Sequence, residues 1–80
     1  MIVEMEVSLY PVGDVDLSHP ANDFAHVLEA EGCAVTVGPM SSFVVGDSSQ
    51  IFAALRKGYE SAAQQGGCVL IVKACNVCPL

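Results

Sequence analysis

The sequence predicts an α+β domain in which one four-stranded antiparallel sheet carries two helices on a single face. Three observations predict it. Apolar and polar residues alternate near the start of the chain, two internal segments carry apolar residues at helical spacing, and glycine- or proline-bearing stretches separate the segments. The resulting order is β-α-β-β-α-β within residues 1–80, a length that makes one domain.

Val3, Met5, Val7 and Leu9 alternate with Glu4, Glu6, Ser8 and Tyr10, the pattern of a strand with one apolar and one polar face. The stretch PVGDVDLSHP that follows is loop chemistry. Ser18 or His19 stands at the N-cap position of a helix and Pro20 suits its first turn. Ala21, Phe24, Ala25 and Leu28 form the apolar stripe of that helix, Asp23 lies near its positive end, and Gly32 ends it. Cys33 to Met40 reads as a second strand, bent or ended by Gly38-Pro39. Ser41 to Asp47 reads as a third, and the very short connection makes the two a hairpin. Asp47 or Ser48 caps a second helix, with Gln50 placed as in a capping box. Ile51, Phe52, Leu55, Tyr59 and Ala62 keep helical spacing there, and Gln64-Gln65-Gly66-Gly67 stops it. Cys68 to Cys78 is apolar and β-branched and reads as a buried strand.

This order is the ferredoxin-like plan, and right-handed crossovers give it the strand order 4-1-3-2. The first strand is then central. Its polar row of Glu4, Glu6, Ser8 and Tyr10 lies mid-sheet on the face the helices leave open, which suits a ligand or a face-to-face dimer. Of the chain, 52% is hydrophobic and only 15% charged. A domain this small buries about 60–65% of the surface its unfolded chain exposes, so a homodimer or higher homo-oligomer is expected to hide the excess.

Nine acidic residues against three basic ones give a formal charge of −6. So few lysines and arginines, and no tryptophan, argue against nucleic acid, whereas a small cationic ligand is tolerated. No signal peptide is visible, and no apolar stretch approaches the roughly 20 residues that span a bilayer. A cytoplasmic protein with no membrane insertion and with its cysteines reduced is the expectation.

The CNVC motif, Cys75 to Cys78, raises a metal-binding or redox module as an alternative. Zinc would need two further ligands. Cys33 and Cys68 begin the two edge strands, which are expected to run parallel and to hold these residues roughly 14 Å apart, so one four-cysteine site cannot be built and no metal is expected. The motif also follows a strand rather than opening a helix, where a dipole would lower a thiol pKa. His19 and His26 lack the i, i+4 spacing of a metal pair, and no Ser-His-Asp or Cys-His constellation can be assembled, so no enzyme is expected. Lys73 is expected to form a salt bridge with Glu4 or Glu6.

Several stretches resemble one family in register. SLYP (Ser8 to Pro11) is similar to the strand-end motif of the YkoF-type thiamin/hydroxymethylpyrimidine-binding proteins. Ser42 to Ala63, with SFVVGD and IFAALRKGYESAA, looks like that family's third strand and second helix, and ACNVCP falls where the family ends its last strand. The resemblance implies a single ferredoxin-like repeat that binds thiamin or its hydroxymethylpyrimidine precursor without catalysis, in uptake, salvage or sensing, and with no cofactor. By face and chemistry, the candidate ligand residues are Glu6, Ser8 and Tyr10, with Ser42 on the adjacent strand. A carboxylate accepts from an aminopyrimidine, hydroxyls bond ring nitrogens, and an aromatic face meets a thiazolium cation. A purely structural oligomerisation domain is the remaining alternative.

Overall fold

A computed structural model describes residues 1–12 and 18–77, with the backbone alone for 18–22. The elements are β1 (Ile2–Pro11), α1 (Ser18–Ala30), β2 (Ala34–Val37), β3 (Ser42–Asp47), α2 (Ser48–Ala63) and β4 (Cys68–Cys75). The sheet order is β2-β3-β1-β4, with every neighbouring pair antiparallel. This is the expected α+β, ferredoxin-like sheet.

Alternation decides which side of β1 is covered. Val3, Met5 and Val7 are buried, and with Val44 of β3 they meet Phe24 and Leu28 of α1 and Ile51 and Ala54 of α2 in one core. Leu28, Val44, Ile51 and Ala54 are wholly buried. Phe24, Ala25 and Leu28 mark the inward face of α1 as expected, whereas in α2 Ile51 faces inward but Phe52 and Tyr59 of the expected stripe are exposed.

Two caps fix the helix ends. Gly32, at φ +94°, donates to the Glu29 carbonyl while Cys33 donates to that of Leu28, a Schellman pair that needs a left-handed residue. Asp47 caps α2, its Oδ2 accepting from the Ser49 backbone N–H at 3.2 Å and from the Ser49 hydroxyl at 2.7 Å. Its other oxygen accepts from the Met1 ammonium group at 3.0 Å, which ties the start of β1 to the start of α2.

Three expectations change. β2 is only 4 residues long, because Pro39 brings no N–H and Gly38 turns back to donate to the Ser41 carbonyl. β4 lies at the edge, as the expected strand order required, but is not buried: Leu70 and Val72 are half-buried against the core, while Val69, Ile71 and Lys73 are exposed. The antiparallel ladders also make β2 and β4 antiparallel to each other. Cys33 and Cys68 therefore stand at opposite corners of the sheet, further apart than a parallel pair would be.

Candidate functional site

The open face follows from the register. Glu6 lies between Phe43 of β3 and Lys73 of β4, Ser8 lies opposite Ile71, and Tyr10 lies opposite Val69. Glu6, Ser8 and Tyr10 thus share one row, as expected. Ser42 does not join them. It pairs with Val7, so strand alternation turns it to the helix-covered side. Glu4, one step along the row, is drawn in between Val45 and Cys75 and is only 8% exposed. Lys73 stands beside Glu6 yet takes part in none of the ion pairs among the described residues, which join Met1 to Asp47, Arg56 to Glu60 and Lys57 to Glu31.

The concave surface lies on the other side of the sheet. A groove runs between the start of α1 and the end of α2, where β1 ends and β4 begins. Leu9, Pro11, Phe24 and Val27 supply its apolar walls, Gly58 lets α2 approach the Phe24 ring, and Asp23, Ser61 and Gln65 stand at its rim. The groove is shallow and open to solvent, enclosing only about 20 Å³ of free space. Its mixture of apolar wall and a few polar rim groups resembles that of small-molecule sites.

The residues that carry the family resemblance converge there. Leu9 and Pro11 of SLYP line the groove from one side, and Gly58, Ser61 and Ala62 of the second-helix stretch line it from the other. Sequence reasoning followed Ser8 and Tyr10 of that motif and missed Asp23, Ser61 and Gln65 as a group. The signal was available in the alternation itself, since odd-numbered residues of β1 face the helices and bring Leu9 and Pro11 with them.

The cysteines divide differently. Cys33 is buried, and desolvation first, with the Glu31 charge second, raises its thiol pKa, so it stays a protonated core residue. Cys68 is a free, half-buried thiol at the groove. Cys75 is disulfide-bonded, against the expectation that every cysteine is reduced. Cys78 lies outside the described residues, as do the PVGDVDLSHP stretch from Gly13 to Leu17 and the side chains of Ser18 and His19. Among the described residues no three His, Cys, Asp or Glu side chains are grouped as a metal site, and no helix is long and apolar enough to cross a membrane.

No family model matches the chain, and no curated protein does. Solved structures match it closely in shape. A hypothetical protein from Methanocaldococcus jannascii superposes with a TM-score of 0.87 at 21% identity, over 94% of this chain and 79% of its own. A putative thiamine biosynthesis/salvage protein from Thermotoga maritima gives 0.80 at 20% identity, over 92% and 82%. A domain of unknown function from Bacillus cereus gives 0.79 at 17%, over 94% and 75%. Identities this low establish the shared fold, in which a thiamine-related protein stands among the neighbours.

Proposed function

We propose that this chain is a non-enzymatic binder of thiamin or its hydroxymethylpyrimidine precursor, with the groove between α1 and α2 as its site. One observation carries the assignment of the site: the two stretches that resemble the thiamin-binding family, distant in sequence, meet in that groove. The chemistry supports the ligand class. An aminopyrimidine presents an amino donor and ring-nitrogen acceptors; Asp23 and the Gln65 carbonyl accept, while Ser61 and the Gln65 amide donate. The Phe24 ring and Leu9 offer an apolar wall for the flat ring, and the net charge of −6 favours a cationic thiazolium. The thiamine-related neighbour from Thermotoga maritima agrees with this reading.

A thermal-shift titration tests it. Thiamin or hydroxymethylpyrimidine should raise Tm progressively once ligand exceeds Kd; a flat curve up to millimolar ligand sinks the proposal. Asp23→Asn should weaken binding by about tenfold, because a hydrogen bond to a charged group contributes about 1.5–3 kcal/mol. Glu6→Ala and Tyr10→Ala should leave affinity unchanged, and loss of binding in either would move the ligand to the open face.

A further inference from the structure

The CNVC motif, Cys75 to Cys78, stands apart from the groove. Cys75 lies opposite Glu4 in the β1–β4 ladder, whereas the groove lies where Cys68 pairs with Pro11 at the other end. Cys75 is disulfide-bonded. The chain has four cysteines, and Cys33 and Cys68 are both free, so the sequence leaves Cys78 as the intrachain partner. The backbone before it agrees. β4 ends at Cys75 and the chain bends at Asn76 and Val77. A disulfide needs its Cα atoms within about 4.4–6.8 Å, and an extended strand would hold residues i and i+3 about 10 Å apart. A bend between the two cysteines is therefore what their pairing requires.

We infer that Cys75 and Cys78 form a reversible dithiol/disulfide couple, opened and closed by exchange with a dithiol. A thiolate of the reductant attacks the Cys78 sulfur, and the bond to Cys75 breaks with its electron pair going to Cys75, which takes a proton from water. The reductant's second thiolate then closes on its first sulfur and releases Cys78, which is protonated in turn. The chain gains two electrons and two protons, and the reductant leaves as its own disulfide.

The neighbours of Cys75 assign that direction. Cross-strand partners on one face hold their Cβ atoms about 4.5–5.5 Å apart, so the Glu4 carboxyl group, only 8% exposed, stands beside the Cys75 sulfur. Its charge repels a thiolate approaching Cys75 and directs attack to Cys78. The Val77 backbone N–H donates to Cys75 Sγ at 3.3 Å and receives the charge that collects there as the bond breaks. Asn76 and Val77 are exposed, which gives the reductant access to the turn. Glu4 is a positioning residue. By opposing the thiolate it slows opening and closing alike, and at neutral pH, where a thiol is mostly protonated, it leaves the balance of the two forms unchanged.

The bend also braces the start of the chain. Asn76 Nδ2 donates to the Met1 sulfur at 3.4 Å. Met1 in turn holds the start of α2, its ammonium group donating to Asp47 at 3.0 Å and its carbonyl accepting from the Ser48 N–H at 2.8 Å. Opening the couple frees the bend and weakens this brace, so the stability of the fold follows the redox state.

The test uses the full chain purified without reductant. Alkylation by iodoacetamide in denaturant, read by intact mass, should label two cysteines before treatment with dithiothreitol and all four after it. Cys78→Ser should label three without reductant, because Cys75 has lost its partner. In mixtures of reduced and oxidised dithiothreitol the folded wild type should show a reversible two-electron transition, with a lower Tm for the open form. Glu4→Gln should raise the rates of opening and closing by about threefold or more at an unmoved midpoint. Four labelled cysteines in the untreated chain, only two in Cys78→Ser, or a bond that opens only in denaturant overturns the couple. Equal Tm values for the two forms overturn the brace, and an unchanged rate or a shifted midpoint in Glu4→Gln overturns the role of Glu4. Failure of thiamin to bind in the groove alters none of these readouts.

Discussion

Gly58 is the residue on which the approach of the two helices depends, and it offers a test with a worked magnitude. A Cβ at this position would stand 2.8 Å from Cε2 and 2.9 Å from Cδ2 of Phe24. Contacting carbons prefer about 3.5–4.0 Å, so the ring or the helix must give by about 0.7 Å. Phe24 is only 4% exposed, and its ring borders the groove. Overpacking of this kind costs about 1–3 kcal/mol, while replacing a mid-helix glycine by alanine gains about 1 kcal/mol. The net expectation for Gly58→Ala is a loss of about 1 kcal/mol, or a fall in Tm of about 4–8 °C at this chain length. Urea unfolding followed by far-UV circular dichroism should show a lower midpoint with an unchanged slope. In a Phe24→Leu background the clash is gone, and the same Gly58→Ala change should stabilise by about 1 kcal/mol. A gain in stability in the wild-type background, or the same effect in both backgrounds, refutes the reasoning.

Two further outcomes follow from the caps. Gly32→Ala forces a side chain into a left-handed conformation that costs about 1–2 kcal/mol, so Tm should fall, and an unchanged Tm would mean that α1 ends without that geometry. At Asp47 the Ser49 hydroxyl, then the bond from the chain's amino group, hold the carboxyl down to about 2. An unfolded aspartate titrates near about 3.9. The folded pKa is the lower of the two, so the stabilisation is complete above the unfolded value and is lost as pH falls through about 2. Between those values the Tm of wild type should therefore drop more steeply than that of Asp47→Asn, and parallel curves would contradict the assignment.

Much of the fold was legible in the sequence because each element carries a local signal. The alternation of Val3, Met5 and Val7 placed β1, the spacing of Phe24, Ala25 and Leu28 placed α1, and Asp47 announced α2 as its cap. What failed were properties that depend on neighbours. β4 has an apolar composition that suits a buried strand, but composition does not tell how much of an edge strand is covered, and the open face leaves Val69 and Ile71 half exposed. Ser42 was grouped with Ser8 because their strands are adjacent. Adjacency fixes distance across the ladder, whereas facing depends on register, and here Ser42 falls opposite Val7. The groove was invisible for a related reason: its rim comes from both helices, and no segment signals what a distant one will place beside it.

The SLYP stretch shows why function on this fold cannot be assigned to a motif as a unit. A strand sends successive side chains to opposite faces, so the four residues divide. Leu9 and Pro11 go to the groove under the helices, and Ser8 and Tyr10 go to the open face. A ligand beneath the helices and a partner across the sheet would then share one strand without sharing a side chain. Coupling between them has to pass through the backbone of β1, which is held on both sides by antiparallel ladders to β3 and β4. A rigid central strand of this kind favours independent occupation of the two surfaces. Along β1, Glu6, Ser8 and Tyr10 thus stand on the open face, Val3, Met5 and Val7 in the core, and Leu9 and Pro11 alone at the groove of the proposed ligand.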